Sequence, residues 1–158
     1  MLEDAPQVLI AQEQGFGAVV RQSTWAYPAA NIGHVMSLVL FVGAVAVMDV
    51  RLLGAFPRTP WPDVVAPFRR LAAAGLLLML LSGCVLFAAE ASHLAGNRVF
   101  QVKMLLLVAA LANAVAAGWQ LRSLPQAAEI PSVVRVSAAL SLMLWLAIAG
   151  AGRTIAYF

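Results

Sequence analysis

Four stretches of this chain, residues 29–53, 71–90, 99–121 and 133–156, are each about 20 residues or longer and almost free of charge. At about 1.5 Å of rise per residue, each is long enough to cross the roughly 30 Å hydrocarbon core of a bilayer. No water is available there to satisfy a backbone amide, so each stretch must be helical. A composition of 63% hydrophobic and 11% charged residues, with a mean hydropathy of +0.89, excludes an ordinary soluble domain. The expected fold is all-α: a polytopic membrane protein with four transmembrane helices in an up-down bundle and the lipid bilayer as its surroundings. Proline-rich residues 54–63 and polar residues 122–131 separate the first span from the second and the third from the fourth.

Residues 1–28 form a separate interfacial segment and residues 29–158 the bundle. Over residues 6–21, Val8, Leu9, Phe16, Val19 and Val20 recur among Gln7, Gln12, Glu13, Gln14 and Arg21 at helical spacing. That pattern predicts a short amphipathic helix lying in the interface. Trp25, Tyr27 and Pro28 then mark the entry into the membrane. Glu3 and Asp4 stand where a cleavable signal would carry basic residues, so none is expected. The single cysteine, Cys84, lies in an apolar run, excludes an internal disulfide and reads as a buried, inert thiol. Among the small residues, Ala109, Ala112, Ala116 and Ala117 are expected to line one packing surface of the third span.

The net charge of +3 and a pI near 9.8 do not indicate nucleic acid, because the basic residues sit at the ends of apolar runs and form no stripe. They read as a topology signal. Arg51, Arg58, Arg69, Arg70, Arg122 and Arg135 fall on one side, and fewer, Arg21, Arg98 and Arg153, on the other. The first side is expected to be cytoplasmic, which puts both termini in the periplasm of a bacterium with the protein in its inner membrane.

Between Ile32 and Met48 the one strongly polar side chain is His34, since Ser37 can give its hydroxyl to a carbonyl one turn back. An ionisable group inside a span is a functional candidate. His34 and Lys103 each lie on the order of 6 to 9 Å below the outer surface, Glu90 closes the second span and Arg153 ends the fourth. The four are expected to turn inward into a polar pocket roofed by Trp25 and Tyr27. A neutral imidazole in a dry bundle suits haem iron, and Arg98, Arg153 and Arg21 suit the propionates. The expected cofactor is haem b, five-coordinate or weakly six-coordinate. His34 is the iron ligand, and His93, in a loop, Lys103 or Met104 are candidates for the second position. The absence of a Cys-x-x-Cys-His motif excludes covalent attachment. Copper held by His34 with Met36, Met104 or Met143 is an alternative, as are proton or small-solute movement and an accessory role in a larger membrane complex.

Trp25, Tyr27 and Pro28, then Gly33-His34, the run Met48 to Gly54, Glu90, and the run Asn97 to Lys103 resemble a family of bacterial four-helix membrane proteins with no assigned activity. The likeness covers almost the whole chain. More distantly, a histidine in the first span, an arginine at its end and Phe100-x-x-Lys103 resemble the four-helix, haem-b membrane protoporphyrinogen oxidases. That resemblance implies a haem-ligand role for His34, a requirement for Lys103 in activity, and a redox or haem-handling function with a membrane redox partner. The copper-resistance membrane proteins of the D type share the helical style and a membrane histidine.

Overall fold

The computed structural model describes residues 7–155 except residue 127, and of Gln12 only the backbone. The expectations resting on Glu3, Asp4, Pro6 and residue 156 lie outside the described residues. Among the described residues seven helices follow one another: α1 (Gln7–Gln14), α2 (Phe16–Gln22), α3 (Ala26–Leu52), α4 (Trp61–Ala89), α5 (Ala91–Gly96), α6 (Arg98–Arg122) and α7 (Ser132–Thr154). Of these, α3, α4, α6 and α7 are long and apolar enough to cross a membrane. Large side chains such as Leu105, Leu146, Ile32 and Val108 stand open on their outer faces, at 72%, 64%, 65% and 66% exposure. A surface this apolar is compatible with lipid and not with water. The chain is a multi-pass, all-α membrane protein.

Local chemistry sets the ends of these helices. α3 stops where Gly54 takes φ +112° and Ala55 N–H reaches back to the Val50 carbonyl, a closure that only glycine adopts without strain. α4 begins at Trp61, earlier than the apolar pattern indicates, because Pro60 precedes it and Pro62 occupies its first turn, where a missing N–H costs nothing. α6 is capped by the Asn97 side chain, which accepts from Val99 N at 2.9 Å and Phe100 N at 3.2 Å. The amphipathic segment is two short helices, broken at Gly15.

Phe41, Ala44 and Val45 of α3, Ala72 and Met79 of α4, Ala110 of α6, and Trp145 and Ile148 of α7 form the main core. Phe41 and Trp145 meet edge to face at 4.4 Å. A second apolar cluster, Leu52, Val65, Leu121, Val134 and Ala138, closes the opposite end from His34. The seams are unequal. α3 lies tight on α4, with Gly75 packed so closely that a Cβ there would come within 3.0 Å of the Phe41 amide nitrogen. α6 packs chiefly on α7 and has almost no close backbone approach to α4.

Two expectations are corrected here. Ala109, Ala112 and Ala116 face outward; the packed face of α6 carries Ala110, Gly118 and Leu121. Alanine recurs on every side of this helix, so spacing alone does not select the face that α7 covers. Cys84 is exposed, because the buried side of α4 runs through Ala72, Gly75 and Met79 and turns this thiol toward the lipid.

Candidate functional site

His34 is half-buried on α3 and its ring lies against α4. Nδ1 is 2.9 Å from Ser82 Oγ. The serine hydroxyl has one hydrogen; placed on the α4 backbone, at the Leu78 carbonyl at 2.8 Å or the Met79 carbonyl at 3.2 Å, it leaves the oxygen to accept from His34. In that arrangement the hydrogen of a neutral ring stands on Nδ1 and the lone pair on Nε2. Gly83 makes room for the ring, since a Cβ at that position would meet His34 Cε1 at 3.3 Å. Ser37, one turn further along α3, donates to the Gly33 carbonyl at 2.7 Å, as its position in the run predicts.

Between α4 and α6 lies an apolar cavity of about 400 Å³, lined by Phe87, Phe100, Met104, Leu105 and Val108, with Ala95 and Gln101 at its end. Phe87 and Phe100 stack across it at 5.5 Å. Gly83, against the imidazole, and Phe87, in the cavity wall, are one turn apart on α4, about 6 Å of helix rise. Lys103, half-buried, reaches from α6 toward α7, where a Cβ on Gly152 would come within 3.2 Å of Nζ. A second cleft, about 320 Å³, runs between α3 and α4, with Ser37 and Ser82 in its lining.

The other predicted site residues are distributed around this end without converging on His34. Glu90 accepts from Tyr27 Oη at 3.1 Å at the corner between α4 and α5. Arg98 begins α6 and is exposed. Arg153 is exposed near the end of α7 and has partners of its own. His93 lies in the helix α5 and not in a loop, with its side chain exposed. Trp25 is 80% exposed and roofs nothing. Of the methionines weighed for copper, Met36 and Met143 face outward at 64% and 62% exposure, and Met104 lines the cavity. Among the described residues no group of three or more His, Cys, Asp or Glu side chains could hold a metal ion.

Arg21 is committed to a clamp. Its Nη1 donates to Glu13 at 3.0 Å and to the Ala89 carbonyl at the end of α4 at 2.7 Å. Glu13 also accepts from the Ser92 hydroxyl at 2.5 Å and the Ser92 amide at 3.3 Å, at the start of α5. These bonds, that from the Ser92 hydroxyl first, hold the Glu13 carboxyl below the usual glutamate value of 4.5. α1 and α2 are thereby tied over the α4–α5 corner, beside the cavity.

Sequence reasoning missed Ser82 and Gly83 as partners of His34. A small polar pair inside an apolar run was the available signal. Asp49 and Arg51, near the end of α3, are both buried, at 7% and 8% exposure. Arg51 donates to the Thr59 carbonyl from Nε and Nη2 at 2.9 and 2.6 Å, pinning the loop after α3.

A family of four-helix proteins was the expectation, and the family model of DUF6644, a family of unknown function, matches residues 16–158. The chain belongs to DUF6644. No curated protein and no solved structure matches it. The DUF6644 match covers both the clamp helix α2 and all four long helices, so the two ends of the bundle belong to one family unit. It carries no link to the haem oxidases or to the copper-resistance proteins.

Proposed function

We propose that the protein binds a b-type haem through His34 Nε2 at the His34 end of the bundle and serves a redox or haem-handling role in the membrane. One observation carries this reading: Nδ1 is held by Ser82, which leaves the ring's lone pair on Nε2. That is how a ligating histidine is ordinarily prepared, with its second nitrogen donating to a fixed acceptor. The residues fit the group in kind. The wall beside the ring is apolar, glycines stand at positions 83 and 152 where a side chain would intrude, and Arg98 and Arg153 lie at the same end for carboxylate groups. Lys103 and Met104 are the nearest candidates on α6 for the second axial position, ahead of the exposed His93. Glu90, bonded to Tyr27, serves to hold the corner. Bound haem would supply one-electron chemistry; the chain's part is to orient the imidazole and exclude water. The distant resemblance to haem-b membrane oxidases supports the same reading.

In this reading the protein sits in a bacterial inner membrane with both termini in the periplasm, on the strength of its basic loop residues, and exchanges electrons with a membrane redox partner. Protein purified in detergent from haem-replete cells should show a Soret band that shifts on dithionite reduction. His34→Ala should lose it and His93→Ala should keep it. A colourless preparation overturns the proposal. A second reading, an accessory subunit of a membrane complex, is favoured by one feature: α6 is the least covered of the four long helices, with 6% of its apolar window buried. A partner that co-purifies with the wild type and is lost on Val108→Trp would support it.

A further inference from the structure

Among the described residues three buried polar atoms have no hydrogen-bond partner: Asp49 Oδ2, Trp61 Nε1 and Gln120 Oε1. They come from the last turns of α3, the first turn of α4 and the last turn of α6, so all three belong to the end opposite His34. Asp49 differs from the others in being a carboxyl.

The groups around Asp49 are on the page. On α7 its polar neighbour is the buried hydroxyl of Ser141. One turn away, Ser137 is already engaged with α6: its hydroxyl donates to Asn113 Oδ1 at 2.7 Å, and Asn113 Nδ2 donates to its carbonyl at 3.0 Å. The cations of the neighbouring elements point elsewhere. Arg51 is spent on Thr59. Arg69 lies over Gly118, within 2.9 Å of where a Cβ would stand. Arg70, Arg122 and Arg135 are exposed, and His34 and Lys103 occupy the other end of the bundle. An ionised carboxylate sealed in an apolar bundle without a counter-charge is not sustained, whereas a hydrogen on the orphan oxygen makes the group neutral.

We propose that Asp49, with Ser141, is a proton-binding site inside the bundle, carrying a dissociable hydrogen on Oδ2. The step is a simple protonation, one hydrogen ion from water joining one carboxylate oxygen, and it needs no co-reactant. Trp61 Nε1, a donor, and Gln120 Oε1, an acceptor, are left open at the same end and suit water molecules. The site is independent of the haem reading.

Infrared difference spectra of the full-length protein in detergent at neutral pH, wild type against Asp49→Asn, test it. Asparagine is isosteric and neutral, so the bundle should persist. The expected result is a protonated-carboxyl C=O band in the wild type that shifts down in D₂O and is lost in Asp49→Asn. Ser141→Ala should move that band to higher wavenumber; an unmoved band overturns the paired site. Dicyclohexylcarbodiimide adds a carboxylic O–H across its C=N bond and rearranges to an N-acylurea. Peptide mass spectrometry should find that adduct on Asp49 and none in Asp49→Asn. Loss of ionised-carboxylate bands in Asp49→Asn would overturn the proposal. So would labelling abolished by sodium chloride but not by choline chloride, which would mean a metal cation occupies the site.

Discussion

α4 meets α3 and α6 along two seams made from the same stock of residues, and they come out differently. Against α3, glycine stands at two close contacts, Gly75 beneath the Phe41 backbone and Gly83 beneath the His34 ring, and the seam closes. Against α6, Phe87 and Phe100 face each other near one end, Arg69 lies across Gly118 near the other, and a cavity remains between. In lipid no hydrophobic force drives helices together, so the approach distance follows from side-chain size at the contact. The difference teaches where a site can form. The tight seam holds the imidazole, and the loose one leaves apolar space at the same end.

The largest effect should come from filling the tight seam. In Gly75→Ala the new methyl group would fall 3.0 to 3.1 Å from three atoms of Phe41, two of them backbone, so α3 and α4 must separate. Overpacking of this kind costs roughly 1–3 kcal/mol. Unfolding of the purified protein by titrated detergent should show it, and an unchanged midpoint would mean that the seam is less close than described. The loose seam should be more tolerant. Phe100→Ala removes one ring of the stacked pair, worth about 0.5–1.5 kcal/mol, and widens the cavity. Binding of a bulky apolar fluorophore should rise while the detergent midpoint moves less than in Gly75→Ala; the reverse order would invert the comparison.

The smallest effect concerns the clamp above the loose seam. Glu13 titrates below its ordinary value because Ser92 and Arg21 favour the carboxylate. A group depressed in the folded state contributes stability that is present above the unfolded value and lost as pH falls through the folded one. Protection of the amides over residues 7–22, taken relative to the intrinsic exchange rate at each pH, should therefore be high at neutral pH and fall below about pH 4.5, the unperturbed value. Glu13→Gln should bring much of that loss of protection to pH 7. Protection that is flat with pH would leave the clamp without an electrostatic part.

The legible portion of the molecule is the part set by the bilayer. Apolar length gave the four helices and their order, and Ser37 closed on Gly33 as its position in a lipid-embedded helix requires. Helix ends were less legible. Pro62 looks like a breaker in sequence, yet it stands in the first turn of α4, where a missing N–H costs nothing, and the helix runs on through Pro67. Within the site, His34 was visible because nothing else in its run is polar. Its partners were not, since serine and glycine are common in spans for many reasons.

By itself the sequence determined that this chain crosses a membrane as a bundle of helices, because burying unpaired backbone in hydrocarbon is too costly for any other arrangement. Tertiary structure alone decided which face of each helix turns inward. Alanine-rich helices such as α6 have no unique packing side until a neighbour selects one, and that selection exposed Cys84 and paired His34 with Ser82. It also sealed Asp49 against Ser141 with an oxygen to spare.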